Sequence, residues 1–271
     1  MTYISRKHYL INFTILIRVF MRNALLILPA TALLFSGCGP QTIISNWNDD
    51  NITIDGRQDD WLDKLDYLED EKVSAGAFND DEYIYLCLTS NDITNIQQIL
   101  DPGITIMFIS DRPGVRPRGI RYPLPSRDIG LKSTMDLRME SYQQDYLKNF
   151  VRDIQENQKE FQIINDDNYT LYTYPLNNGS GIKIKLGENK DELVYETAVP
   201  IADNENAEFR LEVYPGDEIR IEISSNEIIY PEKSSQVLTG TGGRTGVPGV
   251  EIYSRPVPMN FIIDVTLVET P

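Results

Sequence analysis

The chain has 271 residues, with 25 Lys and Arg against 41 Asp and Glu and a formal net charge of −16. Such a surface repels phosphate backbones and anionic lipid, which argues against nucleic acid as a partner and against a basic patch as a link to a membrane. The single histidine, His8, lies in a leading basic segment; without that segment the chain has none, which excludes Ser-His-Asp and Cys-His catalysis, ordinary zinc sites and histidine-ligated haem.

Residues 1–37 carry Arg6, Lys7, Arg18 and Arg22 and no acid, and they end in an apolar run and Leu34-Phe35-Ser36-Gly37-Cys38. A basic n-region, a short h-region and small residues before a cysteine are the layout of a secretory signal. The run is too short and too interrupted by Arg18 and Arg22 to span a bilayer comfortably, since about 20 apolar residues are needed. Its ending resembles a bacterial lipobox, with Phe35 where leucine is usual. That resemblance implies removal of residues 1–37 and acylation of Cys38, with palmitate among the chains, in a cell envelope. Gly39 carries no acidic retention signal, so an outer-membrane location is expected. Two or more acyl chains hold stably where one holds only marginally. Met21 would also serve as a start. With Cys38 acylated, Cys87 has no intrachain partner; in its apolar run it reads as a buried small hydrophobe.

Residues 38–50 are polar and read as a tether, leaving 51–271 as one domain. Ile52-Thr53-Ile54 alternates into Asp55-Gly56, a strand-and-turn signal. Residues 73–78 and 82–89 read as strands joined at Asn79-Asp80-Asp81, and the second is apolar on both faces, hence central. Residues 93–100 could form a short helix and 104–109 a further strand. Residues 113–160 read as an insertion: a Pro, Gly and Arg-rich excursion, then an amphipathic helix over 135–159 with Met139, Tyr142, Tyr146, Phe150 and Ile154 on one stripe.

The rest is β-rich. Strands are expected at 161–164, 169–174, 182–186, 193–199, 208–214, 219–224 and 260–268, separated by Asp, Asn, Gly and Pro clusters. Residues 209–213 and 219–223 alternate strictly, as half-buried antiparallel strands do. The predicted fold is mainly β, an antiparallel sandwich of jelly-roll or immunoglobulin-like type with one inserted amphipathic helix.

Chemical motifs are few. Residues 240–246 are Gly-rich but lack the Gly-Lys-Ser/Thr ending of a phosphate loop, and read as a surface loop. The pairs Asp49-Asp50, Asp59-Asp60, Asp80-Asp81 and Asp166-Asp167 offer hard oxygen ligands for structural calcium, but none has the spacing of a calcium loop and turn positions are the simpler reading. Among 41 acids a carboxylate pair of glycosidase type can be chosen at will, so none is assigned. Several tyrosines adjoin proline or arginine in expected loops: Arg121-Tyr122-Pro123, Tyr230-Pro231 and Tyr253-Ser254-Arg255-Pro256. Rigid rings beside hydrogen-bond donors suit a sugar face. For each tyrosine singly, a core position is the alternative.

Ile52-Thr53-Ile54-Asp55-Gly56 with Asp60-Trp61, then Asn79-Asp80-Asp81-Glu82-Tyr83-Ile84-Tyr85-Leu86, Asp92 and 103–109, resembles in order and spacing the start of carbohydrate-binding module family 9 and its DOMON-like relatives. The resemblance implies a sandwich scaffold and a non-catalytic sugar-binding role, with no cofactor. The expected ligand site is Arg121, Tyr122, Tyr230, Tyr253 and Arg255, the tyrosines stacking and the arginines donating to hydroxyls. One rival is a sandwich that binds another envelope protein. A more distant one is a haem-binding DOMON-like electron carrier, which would need a ligand such as Met107.

Overall fold

The computed structural model describes residues 41–49, 52–125, 145–177, 179–226, 257–269 and 271. They form two sheets. The larger runs in the order β1 (Gln41–Ile44), β13 (Asn260–Thr266), β12 (Glu218–Ser225), β6 (Ile104–Ser110), β7 (Arg118–Tyr122), β8 (Glu160–Asn165) and β9 (Thr170–Pro175). The smaller runs β10 (Lys183–Asn189), β11 (Glu192–Pro200), β5 (Tyr83–Ser90), β4 (Val73–Asn79) and β2 (Asn46–Trp47), with β3 (Asp66–Leu68) also on β4. Every ladder is antiparallel except β1 on β13 and β2 on β4. The expected mainly antiparallel sandwich is what the chain forms.

Alternation in sequence becomes alternation in burial. Ile219, Ile221 and Ile223 of β12 and Phe261, Ile263 and Val265 of β13 point inward, where they meet Leu86, Leu88, Leu186 and Tyr195 of the smaller sheet. Each fully buried side chain of this size contributes about 1.5–3 kcal/mol of hydrophobic free energy.

The smaller sheet is covered on its outer face too. Cys87, Tyr85, Val194 and Ala198 point away from the main core into a second cluster with Ile52, Trp61 and Phe78. Trp61 meets Phe78 edge to face, centroids 5.2 Å apart. This double burial is why β5 carries apolar or aromatic residues at every position from Tyr83 to Leu88.

Glu196 pins that cover. It is fully buried, and its Oε1 accepts from Trp61 Nε1 at 2.7 Å. Its Oε2 accepts from the backbone N–H groups of Asp55 and Gly56. Gly56 has φ +85°, and a Cβ there would lie 2.5 Å from the Leu186 carbonyl oxygen, so the Asp55-Gly56 turn needs glycine.

The structure corrects four boundaries. Residues 41–47, expected in a tether, form β1 and β2: Ile43 is buried while Ile44 stays exposed, and Ser45 carries the chain between sheets with its N–H on Thr266 O. Residues 52–54 join no ladder and lie over β5 and β11 instead. Residues 208–214 also join no ladder; their alternation comes from Leu211 and Val213 facing the core. The expected insertion at 113–160 is narrower, because β7 is an interior strand between β6 and β8.

Two α-helices are described. α1 (Ile93–Leu100) is capped by Asp92, whose Oδ1 accepts from the N–H groups of Thr94 and Asn95, satisfying donors the helix leaves free. α2 (Tyr146–Asn157) buries Leu147, Val151 and Ile154 in the main core and packs on β10. Its stripe is thus centred one position from the expected one, with Tyr146 and Phe150 flanking it half-buried. The expected helical residues 135–144 lie outside the described residues. Among the described residues, no helix is long and apolar enough to cross a membrane.

Candidate functional site

β7 separates two of the expected ligand residues. Successive side chains of a strand point to opposite faces. Arg121 therefore lies on the outer face of the larger sheet, and Tyr122 turns inward, where it is 1% exposed. Tyr122 thus shows no ring on the outer face beside Arg121. Burial pushes its phenol well above the ordinary range.

Arg121 is held by neutral oxygens. Its Nε donates to Thr105 Oγ1 at 3.2 Å, its Nη1 to Gln162 Oε1 at 3.4 Å and its Nη2 to Asn168 Oδ1. Partial burial lowers its pKa from the usual guanidinium value. Register places it in a polar row across six strands: Asn260, Ser224, Thr105, Arg121, Gln162 and Thr173 stand directly opposite one another in turn. In the adjacent row lies half-buried Met107, whose sulfur fills the space where a Gly119 Cβ would sit. Tyr230, Tyr253, Arg255, the 240–246 loop and Cys38 lie outside the described residues.

One cleft among the described residues opens at the side where α2 lies between the end strands β9 and β10. It holds about 440 Å³ and is lined by Tyr122 together with Gln155, Lys159, Pro175, Leu176, Asn177, Ile184 and Lys185. The Lys159 ammonium donates to Gln155 O at 2.7 Å, and the Gln155 amide donates to Leu186 O. In the core, the hydroxyl of fully buried Tyr195 has no hydrogen-bond partner among the described residues. Among the described residues the lining offers N–H donors and amides around apolar walls and no carboxylate, an arrangement that can bind and orient hydroxyls.

A second cleft, of about 270 Å³, lies at the far end of β7. The 111–117 loop supplies Arg116, and β7 supplies Arg118; Phe108, Leu211, Val213 and Ile219 form the floor and Glu212 the one acidic wall. Beside it Arg112 pairs with Asp217 at 3.3 Å and lies 4.6 Å above the Tyr214 ring.

Sequence reasoning missed the exposed tyrosines. Tyr169 is 74% and Tyr172 59% exposed, both at the β9 edge, where the strand runs without a charge from Thr170 to Pro175. The signal was available: β9 alternates no apolar face that a core would need. Glu196 was missed as well, and an acid in the middle of Leu-Val-Tyr-Glu-Thr-Ala was its mark. Of the acidic pairs, Asp80 caps the β4–β5 hairpin by accepting from Glu82 N, Tyr83 N and Tyr85 Oη, and Asp60 accepts from Thr53 N. Among the described residues no three His, Cys, Asp or Glu side chains converge as a metal would require.

No family model and no curated relative matches the chain. Solved structures similar to it include a carbohydrate-binding module family 9 from Caldicellulosiruptor kristjanssonii in complex with glucose. The identity there is 10%, over 85% of this chain and 98% of that one, with a TM-score of 0.38. Another is a protein from Bacteroides uniformis with a proposed carbohydrate-binding role, at 10% identity over 86% of this chain and 94% of that one, with a TM-score of 0.36.

Proposed function

We propose that this sandwich binds carbohydrate without acting on it chemically, and that the acylated Cys38 holds it at a bacterial envelope membrane. The observation that carries the binding reading is the 440 Å³ cleft between α2, β9 and β10, where Gln155, Asn177, Lys159 and Lys185 surround apolar walls. Hydroxyls take the donors and C–H faces take Ile184, Leu176 and Pro175. The sequence resemblance of 52–109 to carbohydrate-binding module family 9 points the same way. Burial of one sugar ring on such walls is worth on the order of 1–2 kcal/mol, so affinity is roughly micromolar to millimolar and depends on several contacts together.

Calorimetry of the full chain in detergent against a panel of oligosaccharides tests this. Lys185→Ala and Asn177→Ala should each weaken binding about three- to tenfold at an unchanged melting temperature. Absence of heat with every saccharide, together with a stoichiometric protein recovered from membranes, would replace this reading with the envelope-interaction one. The feature favouring that rival is β9, whose uncharged, exposed edge is the kind that accepts a partner strand.

A further inference from the structure

We infer that the cleft at the arginine end of β7 takes the carboxylate of an acidic sugar, so that the carbohydrate bound is a uronate-containing one. This rests on the carbohydrate reading and adds to it a second contact site, at the opposite end of β7 from the 440 Å³ cleft.

The loop and strand start read Arg112-Pro113-Gly114-Val115-Arg116-Pro117-Arg118, three bases in seven residues of a chain whose net charge is −16. Arg57, Arg112, Arg152 and Arg220 each stand against a carboxylate, on Asp59, Asp217, Glu156 and Asp264. Arg116 and Arg118 have no such partner among the described residues, yet both line the same 270 Å³ cleft.

Their convergence is built into the backbone. A residue before proline is pushed to extended conformations, which favours Arg116, ahead of Pro117, continuing the line of β7. Residues two apart in an extended chain share a side. The two guanidinium groups therefore address one volume, which Phe108, Leu211, Val213 and Ile219 of the buried core close off from the interior. A planar guanidinium offers two parallel N–H donors that match a carboxylate bidentately, which an ammonium does not. Paired forks in a cleft of about 270 Å³ suit a carboxylate carried on a compact body, which is what a uronate ring is.

Charge makes the same choice. Acids elsewhere on the surface repel a polyanion, but beyond about 8 Å at physiological salt they are largely screened. The two arginines in contact are not. Glu212 at the wall opposes doubly charged groups more than singly charged ones, favouring a carboxylate over a phosphate monoester.

The test is calorimetry of the full chain in detergent with trigalacturonate and with its methyl ester, the same sugar without charge, and with sodium sulfate as an inorganic control. The acid should bind at least tenfold more tightly than the ester. Arg118→Gln should abolish that difference, and Arg118→Lys should restore only part of it, with the melting temperature unmoved in both. Equal binding of acid and ester, or a difference that survives Arg116→Gln with Arg118→Gln, overturns the inference. So does sulfate binding as tightly as the uronate, which would make the cleft a site for any anion. If neutral saccharides bind and uronates do not, the inference falls and the carbohydrate reading stands; silence from all saccharides ends both.

Discussion

Replacing Glu196 with glutamine probes the joint between the outer cover and the smaller sheet. The carboxylate accepts three N–H groups on two oxygens, the indole of Trp61 at 2.7 Å on one and Asp55 and Gly56 on the other. Glutamine keeps one acceptor and turns an NH₂ toward the other donors, so at least one buried N–H loses its partner. That costs about 1–3 kcal/mol. For a domain of this size 1 kcal/mol moves the melting temperature by about 2–4 °C, so Glu196→Gln should melt about 2–12 °C lower at pH 7. A pH arm isolates the charge. Burial pushes the Glu196 carboxyl up to about 7, against the pull of the Gly56 and Trp61 N–H bonds. A carboxyl with a raised folded pKa binds its proton more tightly folded than unfolded. Its contribution to stability is complete below about 4.5 and is lost as pH rises through 7. Self-repulsion of the acidic surface has the same sign, but it is common to both proteins. The wild type should therefore lose more stability than Glu196→Gln between pH 4.5 and 7.5, followed by urea melts with Trp fluorescence as the probe. Equal melting temperatures at pH 7 together with parallel pH profiles would refute the pinning role.

Three further outcomes are expected. Cys87 is fully buried, and burial with Glu196 and Glu192 nearby raises its thiol pKa well above the usual value, so it should react with a thiol reagent only in denaturant; rapid native labelling would contradict the outer cluster. Gly56→Ala should destabilise by about 1–3 kcal/mol in a urea melt, because φ +85° and the Leu186 carbonyl both oppose a Cβ; a neutral result would mean that the turn relaxes freely. Cys38→Ser should leave the protein unprocessed or soluble on fractionation, and a processed variant that still sediments with membranes would refute acylation.

Much of the scaffold was legible because a sandwich writes its core into a period of two. β12 and β13 alternate so strictly that both burial and pairing follow. The 208–214 segment shows the limit: Leu211 and Val213 alternate inward as expected, but alternation reports burial, not ladder formation, and the segment bonds only at points such as Leu211 N to Pro200 O. β1 and β2 were illegible for the opposite reason. Each is at most four residues long and only half apolar, and its parallel partner lies far along the chain, where no local signal reaches.

One point of geometry separates two residues of the expected site. Arg121 and Tyr122 were expected to converge as neighbours in a loop, and a loop can aim adjacent side chains at one ligand. In β7 the same two residues diverge, because ladder bonds to β6 and β8 on either side fix the pleat and with it the face of each residue. The sequence around 113–123, rich in Pro, Gly and Arg, resembles an excursion, while Gly119, Ile120 and Tyr122 carry the strand. Once β7 is a strand, only residues an even number apart can act together along it. That condition separates Arg121 from Tyr122. It also sets Arg121 apart from Arg118, and it joins Arg118 to Arg116 through the extended Pro117 step. The convergence of charge along this part of the chain therefore falls at the start of β7.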